Sequence, residues 1–147
     1  MHRIHLVTVG KIKTSWIKEG CELYAERLSH LCDFRPKVLS AGRSEEEDER
    51  IQAAVDKAEG KVVLLDERGR DMDSTQFAGW LGTLRDRGQT VTFVIGGAYG
   101  FSDALRAKKL DSIALSSMTF THELAQLVFV EQLYRAHGIL AGSGYHH

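Results

Sequence analysis

The chain has 147 residues, a length typical of one domain, and 43% of them are hydrophobic, enough to bury a sizeable core. Its formal net charge of -1 counts against a nucleic-acid binder with a uniformly basic surface and leaves room only for local basic patches. No window approaches the roughly 18 apolar residues of a membrane span, Cys21 and Cys32 form no disulfide framework, and no Cys/His spacing matches a zinc site. We therefore expect a cytoplasmic protein, one domain over residues 1–147, with no metal and no membrane contact.

Five apolar runs rich in β-branched residues predict strands, at 3–9, 34–40, 61–66, 90–95 and 112–116. Helical patterns alternate with them, at 15–31, 44–60, 73–88, 102–109 and 121–140. Several strand runs are continuously apolar, which is typical of parallel strands covered on both faces. The sequence predicts an α/β fold with a mostly parallel sheet of five to six strands flanked by helices.

Two of these helices carry start signals. Ser44 with Glu47 has the spacing of a capping box, and Asp73 with Gln76 repeats it. In such a box each side chain accepts a hydrogen bond from a backbone N–H at the helix start. We expect helices to begin at both places.

Three predicted strands end in unusual segments, LLDERG (64–69), VIGGAYG (94–100) and ALSSMTF (114–120). Ligands of open α/β sheets bind beyond the carboxyl ends of the strands, so these segments are the candidate site. The glycines at 96, 97 and 100 match neither a dinucleotide fingerprint nor a phosphate loop. They form either a plain tight turn or a place where a ligand approaches bare backbone. In the third segment, Thr119 or Thr121 is expected to cap the following helix.

The last predicted helix is apolar nearly all round, which indicates burial on two sides, one against the sheet and one available to a second subunit. Glu131 and Arg135 are four residues apart, the favourable order for an ion pair. Either the pair is structural or it orients a substrate. His122 at the helix start and His146 in the tail are the better placed histidines, although His146 and His147 also read as a purification-tag remnant.

The segments LLDERG, FVIGGAYGFSD, LSSMTFTHELAQLVFVEQLYRAHGIL and the final Tyr-His closely resemble the ribosomal RNA large subunit methyltransferase H family (RlmH), a minimal branch of the SPOUT class. The resemblance runs from HLVTVGK (5–11) to GYHH (144–147). It implies a SPOUT fold with a C-terminal trefoil knot and a homodimer. It further implies methylation of ring N3 of pseudouridine 1915 in 23S rRNA of the assembled ribosome, with S-adenosylmethionine as the methyl donor.

Carried onto this sequence, the resemblance implies that nine residues bind the cofactor: Leu65, Gly96, Gly97, Leu115, Ser116, Ser117, Met118, Thr119 and Phe120. Gly96 and Gly97 would then let the backbone approach the cofactor. The candidate catalytic residues are His122, Glu131, Arg135, Tyr145 and His146. We expect His146 to act as the base that removes the N3 proton and Arg135 to stabilise the anionic ring.

This chain departs from the family pattern at Thr121, where many relatives have proline, and at Gln126, where they have arginine. Gly142-Ser143-Gly144 favours a flexible tail that is ordered only with substrate. Two alternatives remain: a SPOUT methyltransferase acting on a tRNA uridine or pseudouridine, and a non-catalytic relative that binds the ribosome. Local cations that can serve RNA are Lys11, Lys13, Arg43, Arg68 and Arg70.

Overall fold

The apolar runs form one parallel sheet in the computed structural model, which describes residues 1–147. Its strands are β1 (Arg3–Val9), β2 (Asp33–Leu39), β3 (Lys61–Asp71), β4 (Val91–Ile95) and β5 (Asp111–Ala114). They lie in the order β2-β1-β4-β3-β5, and every neighbouring pair is parallel. The α/β prediction is therefore confirmed, with five strands.

Five helices connect and cover these strands: α1 (Ser15–Ser29), α2 (Ser44–Lys57), α3 (Ser74–Asp86), α4 (Asp103–Arg106) and α5 (His122–Ala141). Because side chains alternate along a strand, each sheet face presents its own apolar row. Ile4 and Leu6 of β1 pack into the larger core with α1, α3 and α5. Val7 and Val9 pack into the smaller core with α2 and α4. None of the helices combines the length and the apolar character needed to cross a bilayer.

Both predicted helix starts are confirmed, but the capping pair predicted for α2, Ser44 with Glu47, is wrong. The Asp73 carboxylate accepts from the Gln76 N–H at 2.7 Å, and the Gln76 side chain accepts from the Asp73 N–H at 2.9 Å. For α2, however, Arg43 holds the capping position, and its N–H donates to Glu46 at 3.0 Å. The Glu47 carboxylate instead accepts from the Gly42 N–H at 3.1 Å, because Glu47 points inward and is 7% exposed.

Strand β3 is longer than predicted. Leu65 and Arg70 both pair with Ile113 of β5, so the segment between them bulges out of the sheet. Gly69 allows the strand to rejoin β5, since a Cβ there would lie 2.7 Å from the Ile113 nitrogen. The sequence after Asp66 is charged and gave no strand signal, because the pairing here comes from the neighbouring strand rather than from local preference.

Candidate functional site

A pocket of about 580 Å³ lies at the carboxyl edge of the sheet, where the three unusual segments meet. We call it the loop pocket. It is lined by Leu65–Arg68 of the β3 bulge, Ile95–Phe101 after β4, Arg106 of α4, and Leu115, Ser116, Met118–His122 and Ala125 around the start of α5. This volume is within the usual range for a small-molecule site. The prediction that these three segments come together is confirmed.

The glycine turn after β4 forms one wall of the loop pocket. The Gly100 N–H donates to the Gly97 carbonyl at 3.0 Å, and Gly100 has a φ of +69°, which favours glycine. A Cβ on Gly97 would lie 2.6 Å from the Glu47 carboxylate and 3.2 Å from Val9 Cγ1. Neither of these residues lines the loop pocket. The turn therefore requires glycine at 97 because the protein's own chain packs behind it.

The segment after β5 forms the opposite wall and holds its shape through its own side chains. The Ser116 hydroxyl accepts from the Met118 N–H at 3.0 Å, and the Thr121 hydroxyl accepts from the Leu124 N–H at 3.3 Å. Thr121 is thus the capping residue of α5. Thr119 donates to Glu67 at 2.5 Å, which joins this wall to the β3 bulge. The hydroxyl groups of Ser116, Thr119 and Thr121 therefore shape this wall of the loop pocket.

An ion pair that no local sequence pattern predicts lies in the lining of the loop pocket. The Arg106 guanidinium of α4 donates to both oxygens of Asp66, at 2.9 and 3.2 Å. The Asp66 side chain is only 7% exposed. The hydrogen bonds that Arg106 donates to Asp66 raise the pKa of the guanidinium. The pair holds the β3 bulge against α4, forty residues away along the chain.

A second group of polar side chains surrounds the C-terminal tail. The Arg135 guanidinium donates to Glu131 at 2.6 and 3.1 Å, and it lies 3.0 Å from His146 Nδ1. The Tyr145 hydroxyl donates to Glu131 at 3.1 Å and lies 3.1 Å from the Tyr24 hydroxyl of α1. We call these five residues the tail cluster.

The path of the tail explains how residues so close to the terminus reach Glu131. Gly142 has a φ of +67°, and the Ser143 N–H donates to the Gly138 carbonyl at 2.9 Å, which ends α5 in a turn that reverses the chain. Tyr145 then packs edge-on against Tyr134, with 4.8 Å between ring centroids. Gly142 thus takes part in a defined turn that brings the tail back along α5.

Protonation states in the tail cluster follow from its partners. Burial, together with hydrogen bonds to Tyr24 and Glu131, raises the pKa of Tyr145, so that its hydroxyl remains a donor. The bond to Glu131 raises the pKa of Arg135. Since a guanidinium only donates, His146 Nδ1 is an acceptor, and the neutral ring carries its proton on Nε2. The ion pair predicted from the spacing of Glu131 and Arg135 is confirmed.

Within one chain the loop pocket and the tail cluster are apart. His122 and Glu131 are nine residues apart on α5, two and a half turns, so they project from opposite faces of the helix. His122 and Arg135 are separated by about 20 Å along the helix axis. Of the five candidate catalytic residues, only His122 lines the loop pocket.

Eight of the nine predicted cofactor residues line the loop pocket: Leu65, Gly96, Gly97, Leu115, Ser116, Met118, Thr119 and Phe120. Ser117 is exposed and lies outside the lining. His122 Nδ1 is buried and has no hydrogen-bond partner. Tyr24 and Arg106 were missed, since their partners lie far along the chain and no local pattern marks them. No group of three His, Cys, Asp or Glu side chains is arranged to hold a metal ion.

Comparison with known proteins gives consistent matches over the whole chain. The family model described as "Predicted SPOUT methyltransferase" matches residues 2–146. A "Ribosomal RNA large subunit methyltransferase H" of Geotalea daltonii is 44% identical over 154 aligned residues, covering 99% of each chain. One of the same name from Oleidesulfovibrio alaskensis is 39% identical over 156 aligned residues, covering 100% of both.

A solved structure shares the fold at low sequence identity. It is a probable methylase family protein from Haemophilus influenzae, with a TM-score of 0.58 and 12% identity. The likeness covers 99% of this chain and 71% of that one.

Proposed function

The chain belongs to the SPOUT methyltransferase family, among the ribosomal RNA large subunit methyltransferases H, and from this premise we propose that it methylates ring N3 of a pseudouridine in 23S rRNA. The observation that carries the proposal is the loop pocket, in which three segments separated along the sequence form one cavity. The protein would then act on the ribosome in the cytoplasm. Residues 1–147 would form one domain, whose C-terminal part carries the trefoil knot of the family.

The residues of the loop pocket fit S-adenosylmethionine as the methyl donor. The cavity of about 580 Å³ combines apolar side chains with bare backbone at Gly96 and Gly97. Leu65 and Leu115 would supply apolar contact for the cofactor, and backbone groups of the segment after β5 would supply hydrogen bonds to it. When bound, the cofactor supplies an electrophilic methyl group on a sulfonium, so no covalent enzyme intermediate is required.

The tail cluster supplies the acid-base chemistry. The N3–H of a uracil ring is a weak acid, and removing its proton makes the nitrogen a better nucleophile. In the neutral tautomer described above, the free lone pair of His146 is at Nδ1, where Arg135 now donates. We assign His146 Nδ1 as the acceptor of the N3 proton, once the pseudouridine ring has displaced the Arg135 guanidinium from it. Arg135, which Glu131 holds in place, then faces the anionic ring. The Tyr145 hydroxyl donates to the Glu131 carboxylate and fixes its position.

Two copies of the chain are required to bring these parts together, because a single copy holds them on opposite faces of α5. Trp16 and Leu23 lie two turns apart on one face of α1 and are 60% and 49% exposed. Leu124 and Val128 of α5 are only half-buried. An apolar surface of this kind on neighbouring helices suits a homodimer. Such a dimer would place the tail cluster of one protomer beside the loop pocket of its partner.

Mixing two inactive variants tests this arrangement. Arg135→Ala damages the tail cluster and Gly97→Val damages the loop pocket, so each homodimer should be almost inactive when the cofactor is kept well below the dissociation constant of the Gly97→Val protein. In a co-expressed mixture, mixed dimers should contain one intact site, and activity should return to about a quarter of the wild-type value. The two variants carry different tags, all dimers of the mixture are purified together, and their rate of methyl transfer is compared with that of the wild-type protein. No recovery at all would place each complete site within one protomer.

The substrate is expected to be the assembled ribosome. A net charge of -1 provides little nonspecific attraction for free RNA, so the shape of the assembled particle must contribute to binding. We expect labelled methyl groups from S-adenosylmethionine to enter ribosomes from a strain lacking the enzyme at least about tenfold faster than a hairpin of the target sequence. Equal rates on the hairpin would contradict this expectation, and labelling of tRNA instead would favour the alternative substrate.

A further inference from the structure

The loops at the carboxyl edge of the sheet carry cations but almost no acids. They comprise residues 10–14, 40–43, 66–69, 96–102 and 115–121. Their cations are Lys11, Lys13, Arg43 and Arg68, which are all exposed. Their acids are Asp66 and Glu67, which are hydrogen-bonded to Arg106 and Thr119. A third acid, Asp73, follows the end of β3 and accepts from the Gln76 N–H. The loops themselves therefore present more positive than negative charge, although the whole chain is slightly acidic.

We call Lys11, Lys13, Arg43 and Arg68 the carboxyl-edge strip. The order of the strands sets the order of these cations in space. Arg43 follows β2, Lys11 and Lys13 follow β1, the glycine turn follows β4, and Arg68 lies in the bulge of β3. Neighbouring strands lie about 4.8 Å apart, so the strip spans about 15 Å. It runs from Arg43 beyond β2 to Arg68, which lines the loop pocket.

Glu123 of α5 fixes the lysine-bearing part of the strip. Its carboxylate accepts from the Lys13 N–H at 2.9 Å and from the Thr14 N–H at 3.1 Å. These backbone bonds lower the pKa of Glu123, the bond from Lys13 most of all. Glu123 directly follows His122, which lines the loop pocket. Because Glu123 binds backbone rather than ammonium groups, the side chains of Lys11 and Lys13 remain without an acidic partner.

The opposite edge of the sheet shows the contrast. There, Arg3 and Arg35 both pair with Asp33, and Lys61 pairs with Asp111. The strand cations Arg3, Arg35 and Lys61 are thus neutralised by acids at the same edge. Three members of the strip, Lys11, Lys13 and Arg68, form no ion pair, while Arg43 pairs with Glu46 of α2.

We propose that the carboxyl-edge strip binds the phosphate backbone of the RNA whose base meets the methyl donor at the mouth of the loop pocket. The proposal rests on the function proposed above and names the surface that recognises its substrate. Unpaired, solvent-exposed cations release counterions from RNA without first breaking an ion pair, and this release is the main source of affinity for phosphates. The strip gives a nearly neutral protein a local cationic surface where it is needed.

The test compares two pairs of charge removals in the full-length protein. Lys11→Ala with Lys13→Ala removes two cations of the strip. Lys57→Ala with Arg87→Ala removes two unpaired cations at the ends of α2 and α3, on the amino edge. Both double variants change the net charge equally, and neither alters a residue that we place in the loop pocket or the tail cluster. Binding to ribosomes is measured by co-sedimentation over a range of salt concentrations, and cofactor affinity by calorimetry.

We expect the Lys11→Ala, Lys13→Ala variant to bind ribosomes at least about tenfold more weakly than wild type. The slope of its affinity against salt concentration should fall by the equivalent of about one to two phosphate contacts. Its affinity for S-adenosylmethionine should be unchanged, and the amino-edge variant should behave as wild type. Equal weakening in both variants, or none in the strip variant, would overturn the proposal. A photoreactive group at position 13 that marks a ribosomal protein and not RNA would also overturn it. If the strip behaves as expected but the wild-type protein transfers no methyl group, only the function proposed above fails.

Discussion

Replacing Arg135 by alanine is expected to slow methyl transfer by about 10² to 10⁴-fold in a single turnover. The guanidinium is the only cation of the tail cluster, and it is held by two hydrogen bonds to Glu131. Without it, the negative charge that develops on the deprotonated ring has no counter-charge, and His146 loses the group that orients it. Arg135 does not line the loop pocket, so cofactor affinity should remain within about twofold of wild type.

The controls for Arg135 separate charge from geometry. Arg135→Lys keeps the charge but cannot form the paired contact with Glu131 while also reaching His146, so we expect an intermediate rate. Arg85→Ala breaks an exposed pair with Asp86 on α3 and should leave the rate unchanged. Rapid-quench measurement of the transfer step, with calorimetry for cofactor binding, gives the comparison. A single-turnover rate for Arg135→Ala equal to wild type would remove this residue from the mechanism.

Replacing Gly97 by valine is expected to weaken cofactor binding at least about tenfold and to reduce the free energy of unfolding by about 1 to 3 kcal/mol. The added atoms would meet the Glu47 carboxylate, at 2.6 Å from the new Cβ, and the Val9 side chain behind the turn. Glu47 is nearly buried and is held by the Gly42 N–H. The turn must therefore move toward the loop pocket, which narrows the cavity.

A double variant identifies the cause of the Gly97 effect. Gly97→Ala adds only the Cβ, and Glu47→Ala removes the group that it would meet. If the contact with Glu47 drives the shift, the two changes together should restore part of the cofactor affinity that Gly97→Ala loses. Gly79→Val on α3 is the control, since nothing lies within 4 Å of its Cβ position. Unaltered affinity and stability in Gly97→Val would refute the account of the turn.

The sequence predicted the elements of the fold because their signals are local. Continuous apolar runs marked β1 and β4, and the spacing of Asp73 and Gln76 marked the start of α3. The pairing of Glu131 with Arg135 was also readable, because residues four apart on a helix are neighbours. These features depend on contacts within a few residues.

Features that depend on distant partners could not be predicted in the same way. Tyr24 and Tyr145 are 121 residues apart along the chain, and their contact arises only after α1 packs on α5. The partnership of Glu47 with Gly42 and Gly97 likewise follows from how α2 lies over the sheet. In the tail, glycines that favour flexibility in a sequence also permit the left-handed residue that ends α5.

The most direct test of the proposed function identifies the methylated atom. Ribosomes from a strain lacking the enzyme are incubated with this protein and S-adenosylmethionine, and their 23S rRNA is digested to nucleosides for mass spectrometry. We predict that one pseudouridine is converted to its N3-methyl derivative, and that the Arg135→Ala protein produces almost none. Ribosomal RNA that gains no methyl group, or gains it on another nucleoside or another ring atom, would contradict the proposed function.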